Sequence, residues 1–586
     1  MRQRLRQGLR PFFLPLLMTL LGLTAVYPIL NPALPCSDDA AFHLFRLVQL
    51  DSLLRDGIFY CRWAPDMAQG YGNPFFNFYA PLSYYMSALL SGIVGNLNLG
   101  LRLTFALAIV GGGWAAYLLA RDYFSQPAAL VAAVAYMYAP YQGYDIYFRG
   151  NLAESAAWPL LPLALWAMGR LIREGGGKWL VITAVSYAAI LLTHNVFALI
   201  FSPLLGLFAL ILAYRHNRPY PTYQTFIPPI TAILLGLGLA TFFWLPAMLE
   251  RELVHSDRLL VPPVFVYWNN FVTVGELLAW PRLPEPNLLN PSPPRTIGLV
   301  AFLLALPGLF WYGFRATQDI GRTTAVRFFG LALFVYLFMM TAVSEPIWAR
   351  LPLIEFVQFP WRLLGPAAVC VTFLGAATID LLPTNRWRLV GSGLAISLLI
   401  VTSLFWFHPR YCPGLDAPTI ADMQAFERLT DTIGTTARGE YLPRQVVQMP
   451  AHPAPQPFTV PDESAADLTI LAQEQRGVTY RATVRASQAT TITVNSFMYP
   501  GWRAMVNETA VSITPSPIYG LITFPVPAGE HELTVTFGET PLRRAANGVS
   551  LLSLLLLGVV GLRGKWQVAS KKWQVASGKW QVVTEY

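Results

Sequence analysis

Long apolar runs alternate with short polar segments along most of this 586-residue chain. The runs "PFFLPLLMTLLGLTAVYPIL" and "LVAAVAYMYAPYQGYDIY" are typical; they recur to about residue 407, and "VSLLSLLLLGVVGL" follows near the end. Because roughly 17–25 apolar residues cross a bilayer as a helix, the pattern predicts a mainly α-helical polytopic membrane protein.

The region 408–541 shows a different periodicity. The segments "GVTYRATVRA", "TTITVNSF" and "HELTVTF" alternate apolar with polar residues and are rich in β-branched side chains, and "YPGW" and "PAGE" are turn signals. This pattern predicts a small antiparallel β-sandwich between the eleventh and twelfth membrane spans. Carbohydrate binding and a structural lid are both open as its role, since nothing in its residues selects a ligand.

The composition supports a membrane protein over a nucleic-acid-binding one. Hydrophobic residues make up 54% of the chain and charged residues 12%, against a usual charged fraction of about 25%. The formal net charge is +9, but the basic residues lie in short loops between apolar runs, where they indicate orientation in the membrane. The lipid bilayer is therefore an expected partner and nucleic acid is not.

Basic loops predict which ends of the spans face the cytoplasm. Twelve spans satisfy the alternation, with both termini cytoplasmic in a multi-pass protein of the cell (inner) membrane. Residues 1–407 then form the main transmembrane domain, 545–563 the last span and 564–586 a cytoplasmic tail. The predicted outer segments are 31–100, 147–153, 193–195, 248–295, 344–360 and 408–541. The basic residues of the predicted inner loops are Arg2, Arg4, Arg6 and Arg10; Arg121; Arg170, Arg173 and Lys178; Arg215 and Arg218; Arg315, Arg322 and Arg327; Arg386 and Arg388; and Lys565, Lys571 and Lys572.

Three local features need separate interpretation. The apolar segment 81–95 is too short for a span in this topology, so we expect an interfacial or re-entrant helix, and two membrane-parallel helices within 31–100. The basic N-terminal segment reads as the start of an uncleaved first helix. The tail repeats a seven-residue unit around Trp566, Trp573 and Trp580, which favours a basic segment at the membrane surface.

The four cysteines match no metal-binding spacing. Cys36 and Cys61 both fall in the first predicted outer loop and could form a disulfide. Cys370 is expected to be buried in a helix.

Ionisable residues collect directly after the first span, in "SDDAAFHLFR". If Ser37 caps a helix there, Asp39, His43 and Arg46 share one face by their i, i+4, i+7 spacing, with Asp38 beside them. Ionisable groups beside a bilayer are costly unless something uses them.

The other predicted outer loops carry further polar residues. Each has a plainer interpretation: a helix cap for the aspartates, backbone bonding for the histidine, contact with lipid headgroups for the arginines, and a solvated charge for the glutamate of the fourth loop. Their concentration on one face of the membrane favours a reaction centre there. The candidates in these loops are Arg149 and Glu154, His194 and Asn195, Glu250, and Arg362.

This set suits transfer from a lipid-phosphate donor. A carboxylate can take the proton from an attacking hydroxyl. Arginines can form bidentate hydrogen bonds to a phosphate and stabilise it as it leaves. The chain carries no P-loop, no dinucleotide-binding glycine pattern and no nucleophilic serine elbow. A soluble nucleotide donor is therefore not supported.

The ordered motifs resemble a known family. The segments "DDAAFHLFRLVQL", "DGIFYCRWAPDMAQGYGNPFFNFYAPLSYY", "YFRGNLAES", "LLTHN", "VQFPWRLLGP" and "GTTARGEYLP" are similar to bacterial membrane proteins called 6-pyruvoyl-tetrahydropterin synthase-related. The resemblance runs from about residue 15 to 541, although the zinc-binding histidines of the soluble pterin enzyme are absent from the sequence. The family is similar in layout to the GT-C glycosyltransferases, which use polyprenyl-phosphate-linked sugars.

The resemblance implies an essential aspartate early in the first outer loop. Asp39 matches the pattern Asp-x-x-Phe-His best, and Asp38 is the alternative. Some members of the superfamily need a divalent metal and others do not; Asp39 with Glu154 would hold one here. The residues that match the later motifs are Arg149 and Glu154, His194 and Asn195, and Arg362.

We therefore expect an integral membrane glycosyltransferase of the cell envelope. It would move a sugar from a polyprenyl-phosphate-linked donor to a glycan, lipid or protein acceptor on the outer face, with Asp39 as general base. A transporter or flippase for lipid-linked saccharides is the first alternative, and an inactive scaffold for envelope-polysaccharide assembly is the second. Further substrate contacts are expected from His43, Arg46, Arg149, Glu154, His194, Asn195, Glu250 and Arg362.

Overall fold

The computed structural model describes residues 16–60, 62–216, 222–281, 292–315, 319–461 and 466–562. The described chain forms a large helical body, followed by two β-sheets and a final helix. The basic N-terminal segment, Cys61 and the repeated tail lie outside the described residues.

The helical body contains long apolar helices joined by short helical segments. A single π-helical turn, Asp145–Arg149, follows the seventh helix. The helices are α1 Leu16–Leu30, α2 Ala40–Arg55, α3 Phe75–Phe78, α4 Leu82–Val94, α5 Leu97–Arg121, α6 Gln126–Met137, α7 Pro140–Tyr144, α8 Leu152–Ala157, α9 Leu160–Glu174, α10 Gly177–Thr193, α11 Asn195–His216, α12 Ile227–Leu239, α13 Thr241–Leu249, α14 Val274–Leu277, α15 Leu299–Phe314, α16 Ile320–Met339, α17 Glu345–Trp348, α18 Leu364–Asp380, α19 Asn385–Ser403, α20 Ile420–Thr430 and α21 Pro541–Leu562.

Seven helical segments of the described chain are long and apolar enough to cross a membrane. The bent pair α12 and α13, with an angle of 67° between its two parts, would make an eighth, and four shorter apolar helices of 10–17 residues accompany them. The polytopic, mainly helical class is therefore confirmed, whereas the number of twelve spans stays a prediction.

Several of the loops predicted for the inner face meet at one end of the helical body that the structure describes. Asp122 accepts a 2.7 Å hydrogen bond from Arg170 and a 2.5 Å one from Arg173. Asp380 ends the almost wholly buried span Pro360–Asp380, and it pairs with Arg322 at 2.8 Å. Paired charges at helix ends fix how these helices pack. We call the other end, where the predicted outer loops meet, the Asp39 end.

The helix α4 packs against the first half of α5. Ser87 Oγ lies 2.8 Å from Thr104 Oγ1, and a Cβ on Gly100 would stand 2.1 Å from Ser91 Oγ, so only glycine permits this approach. Whether 81–95 is interfacial or re-entrant stays a prediction. The orientation of α2 relative to the bilayer stays a prediction.

The disulfide proposed between Cys36 and Cys61 is wrong. Cys36 is bonded to Cys412, 376 residues further along the chain. The strands β1 (Leu34–Pro35) and β2 (Tyr411–Cys412) pair antiparallel at the same point. The fold brings these two distant cysteines together. The prediction failed because it was based on closeness in the sequence.

The C-terminal region confirms the prediction of antiparallel β-structure. One sheet has the order β3-β6-β10-β9 and the other β4-β5-β11-β7-β8. Buried side chains from both, among them Val484 and Phe524, belong to one hydrophobic core. The first part of the predicted region holds α20 and loops instead. The strands are β3 Phe458–Thr459, β4 Leu468–Arg476, β5 Thr479–Ala486, β6 Thr490–Phe497, β7 Trp502–Val506, β8 Thr509–Val511, β9 Thr514–Pro515, β10 Leu521–Val526 and β11 Gly529–Phe537.

Candidate active site at the Asp39 end

The first turn of α2 is fastened to the backbone of the π-helical turn. The N–H of Asp38 donates to the carbonyl of Phe148 at 3.1 Å, and the N–H of Asp39 donates to the carbonyl of Arg149 at 2.7 Å. Two N–H groups that a helix start leaves without intrahelical partners are thereby satisfied. The carboxylate of Asp39 is thus placed beside the segment that carries Arg149.

A glycine makes this approach possible. Gly150 has φ +67°, and a Cβ there would stand 2.2 Å from Ser37 Oγ and 2.8 Å from Ala40 N. The left-handed conformation and the close contact each exclude a larger residue. Ser37 Oγ accepts the N–H of Ala40 at 3.3 Å, but the N-cap of α2 is Asp39, so the prediction that Ser37 caps this helix is wrong.

Arg149 anchors a buried group of charges. Its Nη1 donates to Glu154 Oε2 at 2.8 Å and also to Asp145, one π-helical turn earlier. Tyr141 donates its hydroxyl hydrogen to Glu154, and Ser155 donates to Asp145 Oδ2 at 2.9 Å. Burial, aided by the charge of Glu154, raises the pKa of Asp145 well above its usual range.

Glu154 joins residues from three further elements. Besides Arg149, its Oε2 lies 3.4 Å from Arg362 Nε and 3.9 Å from His194 Nε2. Arg362 also donates to the carbonyl of Val357 at 2.9 Å. A buried carboxylate surrounded by cations is tolerated because its charge is compensated. The second, third and fifth predicted outer loops therefore meet at one point, as the sequence indicated.

His194 is held as a neutral imidazole. The N–H of Phe197 donates to its Nδ1 at 3.0 Å, which leaves the ring hydrogen on Nε2, the atom nearest Glu154. Burial lowers the pKa of His194 to about 3. The side chain therefore acts near neutral pH as a hydrogen-bond donor and carries no charge. Its neighbour Asn195 donates to the carbonyl of Phe78 at 3.4 Å, so it braces the first loop.

His43 and Arg46 share a partner, as expected from their common helix face. The hydroxyl of Tyr84 lies 2.7 Å from His43 Nδ1 and accepts from Arg46 Nη1 at 3.3 Å. Arg46 Nη2 donates to the carbonyl of Thr435 at 2.5 Å, and the guanidinium lies 5.0 Å from the centre of the Tyr79 ring. Burial lowers the pKa of His43 well below its ordinary value, with Arg46 the next largest cause.

Asp39 and Tyr79 stand apart because their polar ends are uncommitted. Both side chains are partly exposed, and neither the carboxylate nor the hydroxyl makes a hydrogen bond or ion pair with the residues that the structure describes. Burial raises the pKa of Tyr79, and the charges of Arg46, Asp39, Arg362 and Arg149 all act on it. The buried charges around Arg149 and Glu154 and the pair of His43 and Arg46 therefore form one electrostatic centre, with Asp39 and Tyr79 at its open side.

Tyr79 was not among the sequence candidates. It lies in the quoted segment "GNPFFNFYAPLSYY", but one tyrosine among many aromatic residues carries no signal by itself. Only the tertiary contacts separate it from Tyr84, whose hydroxyl is fully used.

Two sequence candidates lie elsewhere. Glu250 pairs with Arg543 at 2.9 Å and accepts hydrogen bonds from Asn77 at 2.8 Å and from Tyr499 at 3.3 Å. This buried cluster joins the first loop to the β-region and to α21. Asp38, one residue before the candidate base, is exposed and lines a separate cleft.

The described residues give no argument for a metal. No group of three or more His, Cys, Asp or Glu gathers within the described ranges in a way that would hold an ion. Both oxygens of Glu154 are engaged by Tyr141 and Arg149. Glu154 therefore fits a charge-compensating role better than the metal-ligating role considered for it beside Asp39.

Fold and site together define a multi-pass membrane protein with a buried cluster of charges at one end of its helical body. Residues 76–410 match the family described as the 6-pyruvoyl-tetrahydropterin synthase related domain, membrane protein. Because the match covers more than half of the chain, the protein belongs to this family. The matched range contains Arg149, Glu154, His194 and Arg362, and it begins after Asp39.

Similar proteins include a curated relative and several solved structures. An uncharacterized protein of Lactococcus lactis subsp. cremoris (strain MG1363) is 21% identical over 238 residues, which are 40% of this chain and 39% of the relative. The chain thus matches about two fifths of that relative's length.

Three of the solved structures come from different organisms. Arabinofuranosyltransferase AftD from Mycobacteria is similar over 68% of this chain and 27% of its own, at 17% identity and a TM-score of 0.44. Oligosaccharyltransferase AglB from Archaeoglobus fulgidus, in complex with an inhibitory peptide and a dolichol-phosphate, is similar over 74% of this chain and 61% of its own, at 11% identity and a TM-score of 0.43. ArnT from Cupriavidus metallidurans, bound to undecaprenyl phosphate, is similar over 71% of this chain and 77% of its own, at 13% identity and a TM-score of 0.40.

Proposed function

We propose that the protein is a membrane glycosyltransferase that moves a sugar from a polyprenyl-phosphate-linked donor to an acceptor hydroxyl. The observation that carries the proposal is the position of Asp39. Its carboxylate is partly exposed, makes no hydrogen bond or ion pair within the described residues, and is fastened through its own N–H to the backbone of Arg149 at 2.7 Å. A base must combine such availability with a fixed position.

The proposed step exchanges one bond at the anomeric carbon of the donor sugar. The acceptor oxygen bonds to that carbon while its proton passes to the Asp39 carboxylate. The bond from the carbon to the phosphate oxygen breaks, and the polyprenyl phosphate leaves with the electron pair. Negative charge therefore grows on the phosphate, which needs positive groups and hydrogen-bond donors around it.

The buried centre supplies such groups. Three arginines, Arg46, Arg149 and Arg362, stand against three carboxyl groups, Asp39, Asp145 and Glu154, and burial raises the pKa of Asp145 well above its usual range, so that carboxyl group carries less negative charge. His43 and His194 are neutral because burial lowers their pKa values, so neither changes this balance. The excess of positive charge favours an anion such as a lipid-linked phosphate.

Arg362 has a donor to spare. Its Nε lies 3.4 Å from Glu154 but has no hydrogen-bond geometry to any described acceptor, although it is buried. Buried donors are normally satisfied, so an oxygen of a bound phosphate is a fitting partner. His194 Nε2, which carries the ring hydrogen, stands beside the same carboxylate.

The disulfide supports a reaction on the outer face. Cys36, three residues before Asp39, is bonded to Cys412, and such bonds persist in oxidising compartments. The site lies at one end of the helical body, whereas a transporter is expected to place its ionisable groups along a path near the membrane midplane. Both points favour the enzyme over the transporter or flippase.

The test is transfer of radiolabelled sugar from a panel of polyprenyl-phosphate sugars by purified protein in lipid nanodiscs. Asp39→Asn is compared with Asp38→Asn, a matched change one residue away whose side chain lines a different space. We expect Asp39→Asn to abolish transfer and Asp38→Asn at most to reduce it, because Asp38 lies outside the buried group of charges. Loss only in Asp38→Asn would move the base by one residue. If no donor is consumed while lipid-linked sugars bind all three proteins equally, the transporter or the scaffold replaces the enzyme.

A further inference from the structure

A polar cleft of about 720 Å³ opens at the Asp39 end, apart from the buried charges. One side is formed by the start of α2 and by the residues before the π-helical turn, and the other by α14 and the chain around it. Its size falls within the range of small-molecule sites. The side chains that matter for its chemistry are Asp38, Tyr144, Thr273, Glu276, Trp280 and Arg295.

The lining combines the two kinds of contact that a saccharide needs. Asp38 and Glu276 are hydrogen-bond acceptors and Arg295 is a donor, while a sugar hydroxyl both donates and accepts. Trp280, with 69% of its surface exposed, offers a flat aromatic face to the apolar C–H side of a sugar ring. A lipid chain would require a mainly apolar lining, which this cleft does not have.

The cleft wall is held in place before any ligand arrives. Arg295 Nε donates to Glu276 Oε1 at 2.8 Å, and the hydroxyl of Thr273 accepts the N–H of Glu276 at 3.1 Å. Groups held by their own neighbours lose little freedom on binding. The orientation of the polar side chains is therefore a property of the folded protein.

The cleft is joined to the buried charges through Trp361. The guanidinium of Arg149 lies 4.7 Å from the centre of the Trp361 ring, and that of Arg295 lies 5.6 Å from it. Tyr144 packs edge-on against the same ring at 5.8 Å. One aromatic side chain therefore separates the proposed phosphate-binding arginines from the cleft.

We infer that this cleft binds the acceptor and that the acceptor is a saccharide. That the bound saccharide is the acceptor rests on the proposed function, whereas saccharide binding by the cleft is independent of it. Asp38 lines the cleft, whereas the charge of the adjacent Asp39 acts on Arg46 and Arg149. Because Asp38 and Asp39 are consecutive residues, a sugar seated against Asp38 and Trp280 would lie close to the proposed base.

Direct binding tests the inference without turnover. Wild-type protein in nanodiscs is titrated with free oligosaccharides (a mannotriose, lactose, chitotriose and a rhamnose disaccharide), and saturation-transfer NMR reports the sugar protons that contact protein. We expect millimolar binding of at least one probe, weakened about ten-fold by Trp280→Ala. Trp280→Phe, which keeps an aromatic face, should restore most of it.

The control is Trp268→Ala, which removes another exposed tryptophan, 48% exposed, that does not line the cleft. It should bind the probes as wild type does. Glu276→Gln, which keeps the side-chain shape, should weaken binding through loss of the charged acceptor.

The outcomes separate the two proposals. If no probe binds wild type, or if Trp280→Ala and Glu276→Gln leave binding unchanged, the inference fails. If binding depends on Trp280 but no lipid-linked donor is ever consumed, the cleft remains a saccharide site and the glycosyltransferase proposal fails instead.

Discussion

At the scale of single residues, the site contrasts satisfied with unsatisfied polar groups. Arg149 is buried and paired with both Asp145 and Glu154, so removing the arginine leaves buried negative charge uncompensated and disturbs folding as well as chemistry. By contrast, the carboxylate of Asp39 and the hydroxyl of Tyr79 make no hydrogen bond or ion pair within the described residues, so removing either group should cost little stability. They are the residues at which an effect on chemistry can be measured cleanly.

Tyr79→Phe removes a hydroxyl that bonds to nothing in the described chain. We expect the free energy of unfolding to change by no more than about 0.5 kcal/mol, while sugar transfer slows about ten-fold or more through loss of a substrate contact. Tyr84→Phe is the matched control. Its hydroxyl serves His43 and Arg46, so it should cost about 1–3 kcal/mol of stability. Unchanged transfer by Tyr79→Phe would remove Tyr79 from the site.

His194 predicts a pH dependence of stability. Burial lowers its pKa to about 3 in the folded protein, against about 6.5 in an unfolded chain. Between these values the unfolded chain binds more protons, so the free energy of unfolding should rise as pH increases from about 3 to 6.5 and be level above that. Thermal unfolding between pH 4 and 8 should show a smaller slope in His194→Gln than in wild type.

The control for this experiment is His452→Gln, since His452 is exposed. It should keep the wild-type slope. Equal slopes in wild type and His194→Gln would mean that the imidazole is not held neutral by burial.

At the scale of elements, the contact between α2 and the π-helical turn positions the site. Gly150→Ala should cost about 1–3 kcal/mol, because φ is +67° and the added Cβ meets Ser37 Oγ at 2.2 Å. Transfer should fall with it, since Asp39 would move away from Arg149. Unfolding and transfer are both measured.

Gly92→Ala gives the matched change within a helix. A Cβ there meets nothing within 4 Å, so it should be neutral or stabilising by about 0.5–1 kcal/mol. If Gly150→Ala behaves like Gly92→Ala, the contact does not hold the site together.

At the scale of the whole molecule, a buried ion pair between Glu250 and Arg543 ties the end of α13 to α21, and Tyr499 of the β-region donates to the same carboxylate. Glu250→Gln alone should cost about 3–5 kcal/mol, because Arg543 is left without its charged partner, and Arg543→Met should cost a similar amount. The double variant should cost clearly less than the sum. Additive losses in a denaturant titration would show that the pair is not coupled.

The same double variant tests the sequence-based role of Glu250 in substrate binding. If Glu250 serves only to join the two parts, the folded double variant should transfer sugar at a rate near that of wild type. Loss of transfer in a stable double variant would return Glu250 to the substrate contacts.

The sequence predicted the class of the molecule because the relevant signals are local. Apolar runs indicate spans, two-residue alternation indicated the antiparallel sheets, and the spacing of His43 and Arg46 placed both on one face of α2, where they share Tyr84. The basic segments around Arg170 and Arg322 also lie at the same end of the described helical body, joined through Asp122, Ser125 and Asp380. Each of these inferences depends on neighbours within a few turns of the chain.

The tertiary structure decided everything that depends on partners distant in sequence. It paired Cys36 with Cys412 instead of Cys61, took Glu250 out of the Asp39 cluster and into a pair with Arg543, and left Tyr79 uncommitted while Tyr84 was used. The order of residues determines which elements form and which chemical groups are present. Which of those groups become buried, neutral or free depends on the contacts that packing creates, because desolvation and pairing act through space.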